Sequence, residues 1–67
     1  MIVNGEKLSI DTLTGNSLIS LLEYFKLSQG RVAVEINGKV IKKTDYNQTI
    51  INENDVIEII HFVGGGV

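Results

Sequence analysis

The chain ends with the stretch DVIEIIHFVGGGV, residues 55–67. Its first part is rich in β-branched residues and contains no turn residue, which is typical of a buried strand. Three consecutive glycines follow directly. Because glycine has no Cβ, such a backbone can enter a narrow channel and bring its carboxyl group to a partner's reactive centre. A frayed chain end is the alternative explanation, and the other segments decide between the two.

The length and composition restrict the class of protein. A chain of 67 residues forms one domain, and folding at this size buries about 60% of the surface that the unfolded chain exposes. A small-molecule active site would take up much of so small a core, so a binding or carrier module is favoured over an enzyme. The chain is 43% hydrophobic and 21% charged, which is ordinary for a globular fold and too apolar for disorder.

Several kinds of chemistry are excluded by residue type. There is no cysteine, so disulfides, thiolate metal sites and a cysteine nucleophile are impossible. The single histidine, His61, cannot form a metal site alone. The net charge of −2 argues against a nucleic-acid partner. The basic cluster of Lys39, Lys42 and Lys43 is explained by a solvated strand end or turn.

The N-terminal residues lack the basic start and long apolar centre of a signal peptide, and no apolar run approaches the length of a membrane span. We therefore expect a cytoplasmic protein without a membrane partner. We also expect it to be a monomer.

Two Asn-Gly pairs, Asn4-Gly5 and Asn37-Gly38, each lie between two strand-like runs. The type I′ turn of a tight hairpin needs a positive φ at both central residues, and Asn-Gly meets this requirement best. The sequence therefore predicts two β-hairpins, one at the start of the chain and one after its middle.

Apolar residues spaced as one helical stripe lie between the hairpins. They are Leu18, Leu21, Leu22 and Phe25. We expect this stripe to pack in the core. Asn16 or Ser17 can cap the helix by accepting a hydrogen bond from an early backbone N–H. The segment 28–30 is predicted to end the helix, with Gly30 suited to a left-handed conformation near the C-cap.

The segment 42–54 is polar and leads from the second hairpin to the final strand. Tyr46, Ile50 and Ile51 are its candidate anchors on the core. The order of elements is therefore hairpin, helix, hairpin, polar crossing and final strand. This order predicts an α+β domain with two layers, in which a mixed sheet packs on one helix.

The final strand is predicted to lie in the middle of the sheet, because its residues are apolar on both faces. Ile57 and Ile59 are assigned to the face that packs on the helix. Glu58, Ile60 and Phe62 then face outward. An exposed apolar patch of this kind tends to mark a partner-binding surface, unless neighbouring side chains cover it.

The order of elements, together with residues 55–66, resembles the ubiquitin-like β-grasp sulfur carriers, and most of all those of thiamine biosynthesis. The likeness covers the whole chain in architecture, but only its last part carries a specific motif. It implies a β-grasp domain over residues 1–63 and a flexible glycine tail over residues 64–67. It also implies a carrier without a cofactor of its own, since ATP and Mg²⁺ are used by the partner enzyme.

The resemblance implies three kinds of partner. An E1-like adenylating enzyme of the ThiF type would activate the terminal glycine carboxylate, a sulfur donor protein would convert it to a thiocarboxylate, and a thiazole synthase of the ThiG type would use the sulfur. Gly66 would carry the modification, and Gly64 and Gly65 would form its flexible lead. The expected partner-binding residues are Glu58, Ile60, Phe62 and Val63. No catalytic residue is expected, and His61 is interpreted as a packed or hydrogen-bonded sheet residue rather than a general base.

One residue departs from the family pattern. The family ends at a glycine, whereas this chain continues to Val67. Either Val67 is removed, or it is an addition to the natural chain, or this homologue is blocked; the first two are favoured. The functional alternatives are a molybdopterin-type sulfur carrier, a protein conjugated to lysines, and a ubiquitin-like interaction module that carries no sulfur.

Overall fold

The computed structural model describes residues 1–62. Within this range the chain forms five strands and one α-helix, together with short 3₁₀ helices. The strands and the helix are β1 (Ile2–Val3), β2 (Glu6–Lys7), α1 (Leu18–Tyr24), β3 (Val32–Ile36), β4 (Lys39–Ile41) and β5 (Val56–His61). The 3₁₀ helices span Ile10–Thr12, Gln29–Arg31 and Lys43–Gln48. The predicted domain boundary after residue 63 and the predicted tail at residues 64–67 lie outside the described residues.

The five strands form one mixed sheet in the order β2-β1-β5-β3-β4. Strand β5 is parallel to β1 and antiparallel to β3. The last strand therefore lies in the middle of the sheet, as predicted from its apolar sequence. The helix packs on one face of this sheet through Leu18, Leu21 and Leu22, which are all buried. The prediction of a ubiquitin-like β-grasp fold is confirmed.

Both predicted hairpins are present, and their turns have the expected backbone. Asn4 and Gly5 have φ angles of 50° and 85°. Asn37 and Gly38 have φ angles of 53° and 83°. Positive values at both central residues are the signature of the type I′ turn. The turn type brings β1 against β2 and β3 against β4, both antiparallel.

The start of the helix follows the prediction, but its end does not. Ser17 is the N-cap, and its Oγ accepts a hydrogen bond of 3.1 Å from the backbone N–H of Ser20. The helix then ends at Tyr24, before the predicted segment 28–30. The residue with a left-handed backbone is Lys26, with φ of 58°, and not Gly30. Gly30 instead lies in the 3₁₀ helix Gln29–Arg31.

This early end explains why Phe25 is not in the core. The N–H of Leu27 bonds to the carbonyl of Leu22 at 2.9 Å, and the N–H of Lys26 bonds to that of Glu23 at 3.0 Å. These two bonds form a Schellman motif, in which the residue after the left-handed one turns back onto the helix. Leu27 therefore packs against the core, and Phe25 is left 41% exposed. The prediction that Phe25 completes the buried stripe is wrong.

The polar crossing is anchored by two of its three predicted residues. Tyr46 and Ile51 are buried, whereas Ile50 is 54% exposed. Tyr46 Oη donates a hydrogen bond of 3.2 Å to the backbone carbonyl of Val32. Burial raises the pKa of Tyr46 above the ordinary tyrosine value of 10.0. The phenol therefore ties the crossing to the first residue of β3 as a neutral donor.

We expect Tyr46→Phe to lower the free energy of unfolding by about 1 kcal/mol, because it removes this buried hydrogen bond and keeps the ring. The difference should be full below pH 10 and should shrink at higher pH, since the raised native pKa makes ionisation favour the unfolded chain. Urea denaturation at several pH values measures both effects. Tyr24→Phe is the control, because Tyr24 is 47% exposed. Equal stabilities of the two variants would contradict the prediction.

Candidate functional site

The two faces of β5 differ in the way the sequence predicts. Ile57 and Ile59 are buried, as expected for the face that packs on the helix. Glu58, Ile60 and Phe62 lie on the opposite, exposed face. Ile60 is 62% exposed and Phe62 is 51% exposed. Neighbouring side chains of the described residues therefore leave this apolar pair open to a partner.

Residues of the other strands extend this surface, because strand register determines which side chains share a face of the sheet. Ala33 lies opposite Ile60 and Glu35 opposite Glu58, and Val40 of the next strand lies opposite Glu35. On the other side, Ile2 lies opposite Val56. We call this surface the outer face; its residues are Ile2, Ala33, Glu35, Val40, Val56, Glu58, Ile60 and Phe62.

The outer face is apolar at its ends and acidic at its centre. Val40 is 67% exposed and Val56 is 43% exposed. Between them, Glu35 and Glu58 are directly opposite each other on adjacent strands. Like charges in this position repel each other and destabilise the pair. The surface therefore suits a partner that is mainly apolar and carries a basic group near the middle of the contact.

The first hairpin turn holds β5 through a side chain. Asn4 Oδ1 accepts a hydrogen bond of 2.8 Å from the N–H of Ile59, and Asn4 Nδ2 donates one of 3.2 Å to the carbonyl of Ile59. The backbone N–H of Asn4 bonds to the carbonyl of Ile57 at 2.9 Å. The side-chain amide thus continues the ladder for one step after β1 has ended.

The second hairpin turn does the same at the start of β5. Asn37 Oδ1 accepts a hydrogen bond of 2.9 Å from the N–H of Val56, and Asn37 Nδ2 donates one of 2.9 Å to Asp55 Oδ1. Asp55 Oδ2 in turn accepts a bond of 2.8 Å from the N–H of Asn52. Sequence alone assigns both asparagines to their turns, and their partners on β5 become visible only when the strands are assembled.

The end of β5 is held by β3 and by the polar crossing. The N–H of Phe62 donates a bond of 2.8 Å to the carbonyl of Arg31. Lys43 Nζ lies 5.8 Å from the centroid of the Phe62 ring and donates a bond of 3.1 Å to the carbonyl of Gly30. Lys43 is exposed, as expected for a solvated turn, and the sequence does not predict its contact with Phe62. His61 is a sheet residue of β5 paired with Val32, as interpreted, but it is exposed rather than packed.

The remaining predicted site residues, Val63, Gly64, Gly65 and Gly66, lie outside the described range. Within residues 1–62, no group of histidine, cysteine and acidic side chains is arranged to hold a metal ion. In the same part of the chain, no helix is long and apolar enough to cross a membrane.

Comparison with known proteins identifies the family. The sequence profile of the ThiS family matches residues 1–66. The chain belongs to the ThiS family. It is 39% identical over 64 residues to the sulfur carrier protein ThiS of Bacillus subtilis, a match that covers 96% of each chain. Its fold is similar to the crystal structure of ThiS from Geobacter metallireducens, with a TM-score of 0.76, 32% identity, and coverage of 97% of this chain and 96% of that one.

A second group of relatives is longer. The thiazole synthase of Magnetococcus marinus is 36% identical to this ThiS-family chain over 64 residues. The match covers 96% of this chain but 19% of that protein. The thiazole synthase of Paramagnetospirillum magneticum is 32% identical over 66 residues, which are 20% of its length. The chain therefore spans about a fifth of these two relatives and nearly the whole of ThiS from Bacillus subtilis.

We expect Asn4→Gly to destabilise the protein by about 1–2 kcal/mol, because it keeps the positive φ of the turn and removes both side-chain bonds to Ile59. Asn4→Asp should also destabilise the protein, since it keeps the acceptor for the N–H of Ile59 but places a carboxylate oxygen against the carbonyl of Ile59. Urea denaturation measures both. A glycine variant as stable as the native protein would show that the amide contributes nothing beyond the turn.

Proposed function

We propose that this protein is a sulfur carrier of thiamine biosynthesis that carries sulfur on the carboxyl group of Gly66. The observation that supports this most directly is the extent of the family match, which runs through Gly66. A relative with 39% identity has the name sulfur carrier protein. The absence of cysteine adds to this, because no side-chain thiol is available to carry the sulfur.

The chemistry begins at a carboxylate, which is a poor electrophile until one oxygen becomes part of a good leaving group. A Gly66 carboxylate oxygen attacks the α-phosphorus of ATP on the adenylating enzyme, and pyrophosphate leaves. Hydrosulfide released by the donor protein then attacks the acyl carbon of this adenylate, AMP leaves, and loss of the proton gives the thiocarboxylate. Gly66 must be the terminal residue for this step, which requires that Val67 is removed or is not part of the natural chain.

We propose that the outer face docks on the adenylating enzyme. Ile60 and Phe62 are its most exposed residues next to the glycine segment, and Glu58 lies beside them on the same strand. Val63 is the fourth proposed contact. This arrangement would keep the compact domain outside the enzyme while residues 64–66, which have no side chains, enter the active site.

We propose thiazole synthase as the acceptor of the sulfur. In Magnetococcus marinus and Paramagnetospirillum magneticum, a region similar to this chain is part of a protein named thiazole synthase. The occurrence of the two in one polypeptide supports a shared function. A molybdopterin-type carrier remains the alternative within the same fold, and it would not support thiazole formation.

The modification is tested by intact mass. A variant ending at Gly66 is incubated with a ThiF-type adenylating enzyme, ATP, Mg²⁺ and a sulfur donor protein. We expect the mass gain of one sulfur replacing one oxygen, and no gain when ATP is omitted. The loaded protein should then support thiazole formation by a ThiG-type synthase. If the Gly66-ended form never gains sulfur, the proposed function is wrong; if it gains sulfur but thiazole synthase cannot use it, the pathway is wrong.

The docking surface is tested by substituting aspartate for each of two exposed isoleucines. We expect Ile60→Asp to lower kcat/KM for adenylation at least about tenfold, because it places a charge where an apolar side chain is buried on binding. Ile50→Asp is the matched control, since Ile50 is 54% exposed and lies outside the outer face. Equal rates for the two variants would remove the outer face from the contact with the enzyme.

A further inference from the structure

The two neighbours of β5 cover it to different extents. On one side, β3 stays paired up to His61 and the bond from Phe62 to Arg31 follows. On the other side, the register with β1 includes only Val56 and Ile57. One edge of β5 is thus held to its end, while the opposite edge loses its neighbour partway along the strand.

The hydrogen bonds determine which backbone groups lie on the short side. Val56 and Phe62 bond to the β3 side, through Asn37 and Arg31 at 2.7 and 2.8 Å. Successive residues of a strand point their N–H and C=O groups to opposite edges. The odd-numbered residues of β5 therefore face the β1 side.

Contacts along the β1 side agree with this. The carbonyl of Ile57 accepts from the backbone of Asn4, and both backbone groups of Ile59 bond to the Asn4 side chain. The next residue with this orientation is His61. Its N–H and C=O point past the last residue of β1, and its side chain is exposed.

We propose that this edge at His61 receives an extended backbone segment of the adenylating enzyme, which adds to the sheet as a strand in line with β1. The inference rests on the proposed function and deepens it. A donor and an acceptor of one residue, oriented in the plane of a sheet, are recognised by another extended backbone. The edge is also continuous with the proposed docking surface, because Ile60 and Phe62 are the two neighbours of His61.

A depression next to Asn4 offers a place for a side chain of the added strand. Val3, Asn4, Tyr24 and Phe25 are among the residues that line it. The two aromatic rings are exposed and make an edge-to-face contact, with centroids 5.0 Å apart. An apolar side chain that leaves the added strand on the helix side would bury part of this pair. The helical stripe did not predict that Phe25 is exposed. In this proposal its exposed ring contacts a side chain of the added strand.

The added strand would act by fixing the direction in which β5 ends. With β3 on one side only, the end of β5 is guided along one edge. A second strand would hold the same residues on both edges and would fix the direction of the chain at Phe62. Because backbone bonds do not depend on side-chain identity, the effect would be to aim the glycine segment rather than to select a sequence.

Amide hydrogen exchange measured by NMR tests this on the form of the protein that ends at Gly66. We expect the amide of Phe62 to be protected in the free protein, since it bonds to Arg31, and the amide of His61 to exchange rapidly. With the adenylating enzyme and ATP, the His61 amide should exchange at least about tenfold more slowly. A complex that forms and adenylates the chain while His61 exchanges as before would overturn the inference and leave the proposed function intact. Protection of His61 that depends on the concentration of the free chain would assign the edge to a second copy and also overturn it.

Two substitutions separate the backbone of His61 from its side chain. His61→Pro removes an N–H that faces away from β3 and has no β1 residue opposite it within residues 1–62. Proline is compatible with an extended backbone at a strand edge, so this variant should weaken binding to the enzyme about tenfold. His61→Ala should bind nearly as well as the native protein. Equal binding by both variants would exclude the strand. If the proline variant does not fold, an ester at the same position removes the N–H without the ring. This variant can be made by chemical ligation at a cysteine placed at position 33, which is afterwards desulfurised to restore Ala33. The reaction is selective because the chain contains no other cysteine.

Discussion

The structure depends on the way its central strand is held by the side chains of two turn residues. Asn4 and Asn37 adopt the positive φ that their hairpins require, and in that conformation their amides reach the backbone of β5. Each amide takes the place of a peptide group that the neighbouring strand no longer supplies. Strand β5 therefore joins the two hairpins: β3 pairs with it up to His61, whereas β1 pairs with it only at Val56 and Ile57.

The small size of the domain explains where its chemistry has to lie. The single α-helix of the described residues covers one face of the sheet, and the core beneath it is filled by aliphatic side chains and Tyr46. The opposite face has no second layer within residues 1–62, so its isoleucine, valine and phenylalanine side chains are exposed. A domain of this kind interacts through its uncovered face and through the segment that leaves its central strand.

Most of the fold could be predicted because local rules and tertiary packing agree. Asn-Gly pairs indicate one turn type, and β-branched residues on both faces indicate a central strand. The sequence-based predictions are wrong where local rules and tertiary packing compete. A helical stripe includes Phe25, but the turn at Lys26 brings Leu27 to the core instead. A left-handed lysine is uncommon, so Gly30 was the natural choice from sequence and the wrong one.

For this protein, the sequence alone determined the order of elements, the turn types, the face of β5 that packs on the helix and the glycine motif that resembles sulfur carriers. These properties depend on spacing and on the backbone preferences of single residues. Only the tertiary structure decided that Glu35 faces Glu58, that Lys43 contacts Phe62 and that the turn asparagines bond to β5. Such contacts join residues far apart in the chain, and strand register, which the assembled sheet sets, determines which of them meet.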